Sequence, residues 1–199
     1  MDMDRIMGVI TLKAPVYRQI AEDANATTPA AIITAVVALI SGFFGGAVAF
    51  DTTAQTSSFN LMGGVIFAII TVILALIGWF IAGWVLAFVS KMFGGKTNTQ
   101  EMLRVTGYVN VFGLVGILNI LVLLTPILGC ITGLIGLVAA ILKLIGYIIG
   151  VREAAEFSTG NAVITAIVAA IVNFLIVAVI GGMIFAAVAG AMAFTGAGQ

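Results

Sequence analysis

The chain has 199 residues, 62% of them apolar and 8% charged, with eight Lys plus Arg balanced by eight Asp plus Glu. Globular proteins carry roughly 25% charged residues, so these few cannot cover a water-facing surface. A soluble enzyme, a disordered chain and a basic nucleic-acid binder are excluded, and an all-helical polytopic membrane protein remains.

Residues 1–28 form a polar lead-in. Met1-Asp2-Met3-Asp4-Arg5 is acidic and short of apolar residues, unlike a cleavable signal peptide. Met3, Ile6, Met7 and Ile10 recur at helical spacing, and Pro15 opens a second short helix from Val16 to Asp23. The pattern fits either an interfacial amphipathic helix or a segment packed on the inner ends of the spans.

A transmembrane domain occupies residues 29–199. Crossing a bilayer takes roughly 20 mostly apolar residues, and five stretches qualify, at about 29–50, 61–90, 105–124, 126–150 and 161–194. Their continuous apolarity, without inside–outside alternation, predicts helices rather than barrel strands. Thr28-Pro29 and Thr125-Pro126 each place a hydroxyl N-cap before a proline at the first helical position. Asn98 followed by Glu101 makes a capping box that starts a helix before the third span.

Basic residues orient the bundle. Arg5, Lys13, Arg18, Lys91, Lys96, Arg104, Lys143 and Arg152 all sort to one side of a five-span topology. The positive-inside tendency makes that side cytoplasmic, with the amino terminus inside and the carboxyl terminus outside the cell membrane. Asn25-Ala26-Thr27 then lies on the wrong side for glycosylation.

Small residues recur four apart at Gly42 and Gly46, Gly129 and Gly133, Gly146 and Gly150, and Ala186 and Gly190. Such faces let helix backbones approach. They predict packing within the bundle, with self-association into a homo-oligomer as the second reading. Lipid held at Gly129–Gly136 is a third.

Little supports catalysis. Histidine is absent, which removes the usual general base and metal ligand. Cys130 is the only cysteine, so neither an internal disulfide nor a Cys-x-x-Cys motif exists. Phe93-Gly94-Gly95-Lys96-Thr97 resembles the end of a phosphate loop, but Ser90 stands where its first glycine belongs and a membrane helix precedes it. No catalytic residue, cofactor or metal is expected.

Two polar sets stand out. Glu101, Arg104, Arg152, Glu153 and Glu156 lie at the inner face, where they are expected to form a charge network between two loops and to present it to a partner. Arg152 and Glu156 fall one turn apart if the fourth helix continues. Asn110, Asn119, Lys143 and Asn173 lie within the spans, where the amides either hydrogen-bond between helices or, with Lys143, line a polar pathway. Lys143 is seven residues from Gly150, roughly 10 Å deep, close enough to snorkel to the headgroups.

Three segments carry a resemblance to the Yip (Ypt/Rab-interacting protein) domain family. Phe93-Gly94-Gly95-Lys96 with Gln100-Glu101-Met102-Leu103-Arg104-Val105-Thr106-Gly107-Tyr108 is similar to the family's glycine-pair loop and the start of its third span. The stretch from Gly150 to Ala162 resembles its link between spans four and five, and Ala14 to Asp23 the segment before its first span. The resemblance implies a five-span membrane fold. Eukaryotic members bind Rab-type GTPases from the cytoplasmic side, whereas the brief lead-in resembles short prokaryotic members. A non-enzymatic membrane-embedded interaction or organising protein, contacting lipid and a protein partner but no nucleic acid, is therefore expected. A small transporter or channel is the alternative.

Overall fold

The computed structural model describes residues 3–51, 56–125, 127–172, 174–176 and 179. The fold is all-α apart from one hairpin, and five helical runs are long and apolar enough to cross a membrane. They span Ala24–Ala47, Leu61–Met92, Thr99–Leu123, Leu128–Ala155 and Thr159–Ile176. The expected continuation of the fifth to residue 194 lies outside the described residues, as do Pro126 and the Ala186/Gly190 pair.

The lead-in folds as two short helices, α1 (Met3–Ile10) and α2 (Ala14–Glu22), with Pro15 in the first turn of α2. The apolar face of α1 is divided. Ile6 and Val9 turn into the protein core, while Met3, Met7 and Ile10 are exposed. Tyr17 and Ile20 of α2 are fully buried, so the segment caps the bundle and still shows an apolar stripe outward.

Helix α3 (Thr27–Ala47) ends three residues before the expected Phe50. There the chain changes to a strand, β1 (Val48–Asp51), paired antiparallel with β2 (Thr56–Phe59) in the register Val48 to Phe59 and Asp51 to Thr56. Sequence reading placed residues 48–50 in the first span and residues 51–60 in the loop after it. Asn60 then caps α4 (Leu61–Met92) by accepting from the Gly63 amide at 2.9 Å.

The third span is not uniform. Helix α5 (Thr99–Val109) opens on the capping box, with Asn98 accepting from the Glu101 amide at 3.0 Å. From Asn110 to Leu123 the chain winds as a 3-10 helix. Such runs rarely exceed four residues, and side chains three apart then stack in one row. The sequence has that period: Gly107, Asn110, Gly113 and Gly116 are three apart. All four meet α3 residue by residue. A Cβ on Gly107, Gly113 or Gly116 would run into Ala30, Val37 or Ser41, and Asn110 Nδ2 donates to Thr34 Oγ1 at 3.0 Å. Tight winding keeps the small and polar row on α3, where 3.6-residue winding would rotate it away.

Helix α6 (Leu128–Ala155) stops at Glu156, which adopts a left-handed conformation with φ 55°. The fifth run, Thr159–Ile176, we label α7.

Candidate functional site

Two features of this fold bear on function: the charged end of the bundle and a cavity behind it. At the charged end, Arg18 of α2 joins segments 138 residues apart. It donates to Glu22 through Nε, to Glu156 Oε1 through Nη2 at 2.6 Å, and to the Glu153 carbonyl through Nη1 at 3.1 Å. Arg104 of α5 reaches the other way, donating to Thr27 Oγ1 at 2.9 Å and to the Ala21 carbonyl at 2.8 Å. Arg5 of α1 donates to Asp23 at 2.6 Å. That bond, with one from the Asn25 amide, holds the Asp23 carboxyl below its ordinary range and raises the Arg5 guanidinium. Tyr17 donates to the Val9 carbonyl at 3.0 Å, and burial pushes its phenol up.

The expected five-residue network is therefore arranged differently. Glu101 serves its own helix in the capping box. Arg152 pairs with its neighbour Glu153 at 2.7 Å, not with Glu156. The physical reason is the left-handed turn at Glu156, which takes that carboxylate out of α6 register and across to Arg18. The loop after α4 and the end of α6 meet through the backbone, where the Lys96 amide donates to the Ala155 carbonyl at 2.9 Å. What sequence reasoning missed was the lead-in as the hub. The Arg18–Glu22 spacing was a visible signal, but no local pattern pointed from Arg18 to Glu156.

Arg104, Arg152 and Glu153 are half-buried in these bonds, so they hold the end together. Its outward rim is made of Glu22, Lys91, Met92, Phe93, Lys96 and Glu156, all exposed. Gly94, with φ 82°, turns this loop, and Gly95 lies against Ala155.

Behind the charged end lies an open cavity of about 370 Å³ between α3, α4, α5 and α6. Its wall includes Thr34, Thr71, Trp79, Thr106, Asn110, Lys143 and Tyr147. Asn110 and Lys143 both line this cavity. Asn119 does not join them, since it is exposed on the 3-10 helix, and Asn173 lies outside the described residues. The cavity polar groups lie at a similar depth: Thr34, Asn110 and Lys143 are seven, six and nine residues from Thr27, Arg104 and Arg152. At the rise of the helices each is roughly 9–14 Å from the charged end. A file of polar groups across the bilayer is not formed among the described residues. No group of acids and cysteine able to hold a metal occurs among them either.

The small-residue faces also separate. Gly42 and Gly46 pack on α4, against Thr71 and Phe67, and Gly146 and Gly150 receive Tyr17. Gly133 and Gly136 face open space, and Gly129 meets only Val122. Two of the three described pairs serve packing within the chain.

No curated protein and no solved structure matches the chain. A family model, the Yip1 domain, matches residues 7–181, from α1 through all five apolar runs. The match takes in the lead-in, the glycine-pair loop and the link after α6, the three segments that meet at the charged end, and the chain belongs to the Yip1 domain family.

Proposed function

We propose that this membrane protein is a non-enzymatic organiser that offers the charged end of its bundle to a protein partner at the cytoplasmic face of the cell membrane. The observation that carries the reading is the construction of that end. Arg18 ties the lead-in to the turn after α6, Arg104 ties it to α5, and Arg5 braces it internally on Asp23, so the exposed rim of Glu22, Lys91, Met92, Phe93, Lys96 and Glu156 sits on a fixed support. A preordered surface loses less conformational entropy on binding than a floppy loop. Mixed charges around two exposed apolar side chains suit a protein contact, with an apolar centre and polar rim. The cytoplasmic assignment rests on the eight basic residues sorting to this end.

The test is copurification with crosslinking in the native membrane. Lys91→Glu with Lys96→Glu, and separately Phe93→Ser, should remove the captured partner while leaving the thermal unfolding of the purified protein in place. An unchanged set of crosslinked proteins in both variants contradicts the reading.

A further inference from the structure

Lys143 has no counter-charge among the described residues. The acids flanking its helix and the facing α5, Glu101, Glu153 and Glu156, lie at the charged end, five residues or more from the cavity groups on their own elements. Glu101 and Glu153 are bonded elsewhere, to Asn98 and Arg152, and Glu156 is bonded to Arg18. Lys143 makes no hydrogen bond or ion pair with any described residue. A cation in a low-dielectric interior is costly unless an anion or water meets it.

The rest of the wall indicates what would meet it. Some polar hydrogens there already have acceptors. Thr34 and Thr106 donate to the carbonyls of Ala30 and Met102, and Trp79 donates to the Leu103 carbonyl and Thr106. Apart from the Asn110 carbonyl oxygen, each polar group left free can donate. They are the Lys143 ammonium, the Tyr147 hydroxyl one turn along α6, the Thr71 hydroxyl and the second Asn110 N–H. A cation with neutral donors on the same cavity wall favours an anion, because a hydrogen bond to a charged oxygen is shorter and stronger than one to a neutral acceptor.

We propose that this cavity is a binding site for a phosphate-bearing anion, with Lys143 as counter-ion and Tyr147, Thr71 and Asn110 as supporting donors. A lipid headgroup is the source the setting favours. The cavity is open within the membrane-spanning part of the bundle, and α4 beside it exposes Ile70, Ile73, Leu74 and Ile77 to carry acyl chains. The site stands apart from the partner surface, so each can fail while the other holds.

The experiment is native mass spectrometry of the full chain in micelles containing phosphatidylglycerol or phosphatidylcholine, with a parallel arm measuring radiolabelled inorganic phosphate. Wild type and Lys143→Arg should retain phosphatidylglycerol over phosphatidylcholine by about tenfold, because both lipids carry the phosphodiester but the choline cation of the second opposes the positive charge at position 143. Lys143→Met should bring the ratio to near one, and Tyr147→Phe should lower it by roughly threefold. Lys91→Gln with Lys96→Gln should leave it unchanged, which separates the cavity from general attraction to the charged end. Lys143-dependent retention of the lipid assigns the headgroup as the source, and Lys143-dependent binding of inorganic phosphate alone assigns a soluble one. Equal retention by wild type and Lys143→Met in both arms overturns the proposal.

Discussion

The two ends of this bundle are built on different principles. At the charged end, α1, α2, α5 and the last turns of α4 and α6 bury Val9, Tyr17, Ile20, Leu86, Met102, Val105 and Val151 in one core. At the opposite end a two-stranded hairpin closes the first loop, and large side chains such as Leu61, Met62, Leu124 and Leu134 are exposed. Water drives apolar burial where the chain leaves the membrane, whereas lipid solvates leucine as well as a neighbouring helix does. Stability should therefore reside in the charged end, and the lipid-facing outer half should tolerate change.

Side-chain truncation should show the contrast most strongly. Tyr17 is fully buried against α6 and anchors α1 through its hydroxyl, so Tyr17→Ala should cost about 4 kcal/mol of unfolding free energy in detergent. Met62, 68% exposed at the hairpin end of α4, should lose less than about 1 kcal/mol on truncation to Ala. Equal losses would remove the distinction between the two ends. A smaller effect tests backbone approach. At Gly107 a Cβ would come within 2.8 Å of the Ala30 carbonyl oxygen, which cannot move aside, so Gly107→Val should cost about 2–3 kcal/mol. Gly136 faces open space, and Gly136→Ala should be neutral to within about 1 kcal/mol.

Acid offers a gentler probe of the same end. Because Arg5 depresses the Asp23 carboxyl, the pair stabilises the folded state fully above the unfolded carboxyl value near 3.8 and loses that effect as pH falls through the lower folded value. The unfolding midpoint of wild type should exceed that of Asp23→Asn at neutral pH. The gap should close in acid, below about pH 4. A gap that persists there would mean that Asp23 acts through packing rather than charge.

Much of this architecture was legible in the chain, because membrane spans declare themselves by length and apolarity alone. Local chemistry was equally readable where one residue acts on its near neighbour, as Asn98 and Glu101 show. Less visible were features set by partners far along the chain. Val48-Ala49-Phe50 continues the apolar run of α3, and only pairing with Ser57-Ser58-Phe59 turns it into a strand. The three-residue period from Gly107 to Gly116 was present but matters only once α3 lies beside it. Of the polar residues, Lys143 and Asn110 were found by their depth. Tyr147 and Thr71 look unremarkable in sequence, and the cavity alone gives them a role.

The orientation of the bundle decides which compartment meets the charged end, and cysteine labelling reads it directly. With Cys130, itself exposed, replaced by Ala, single cysteines at Ser58 in the hairpin and at Gln100 beside the capping box would be offered a membrane-impermeant maleimide on intact cells. Ser58→Cys should label at once, and Gln100→Cys only after the membrane is permeabilised. The reverse order, or labelling of both positions in intact cells, would contradict a cytoplasmic charged end.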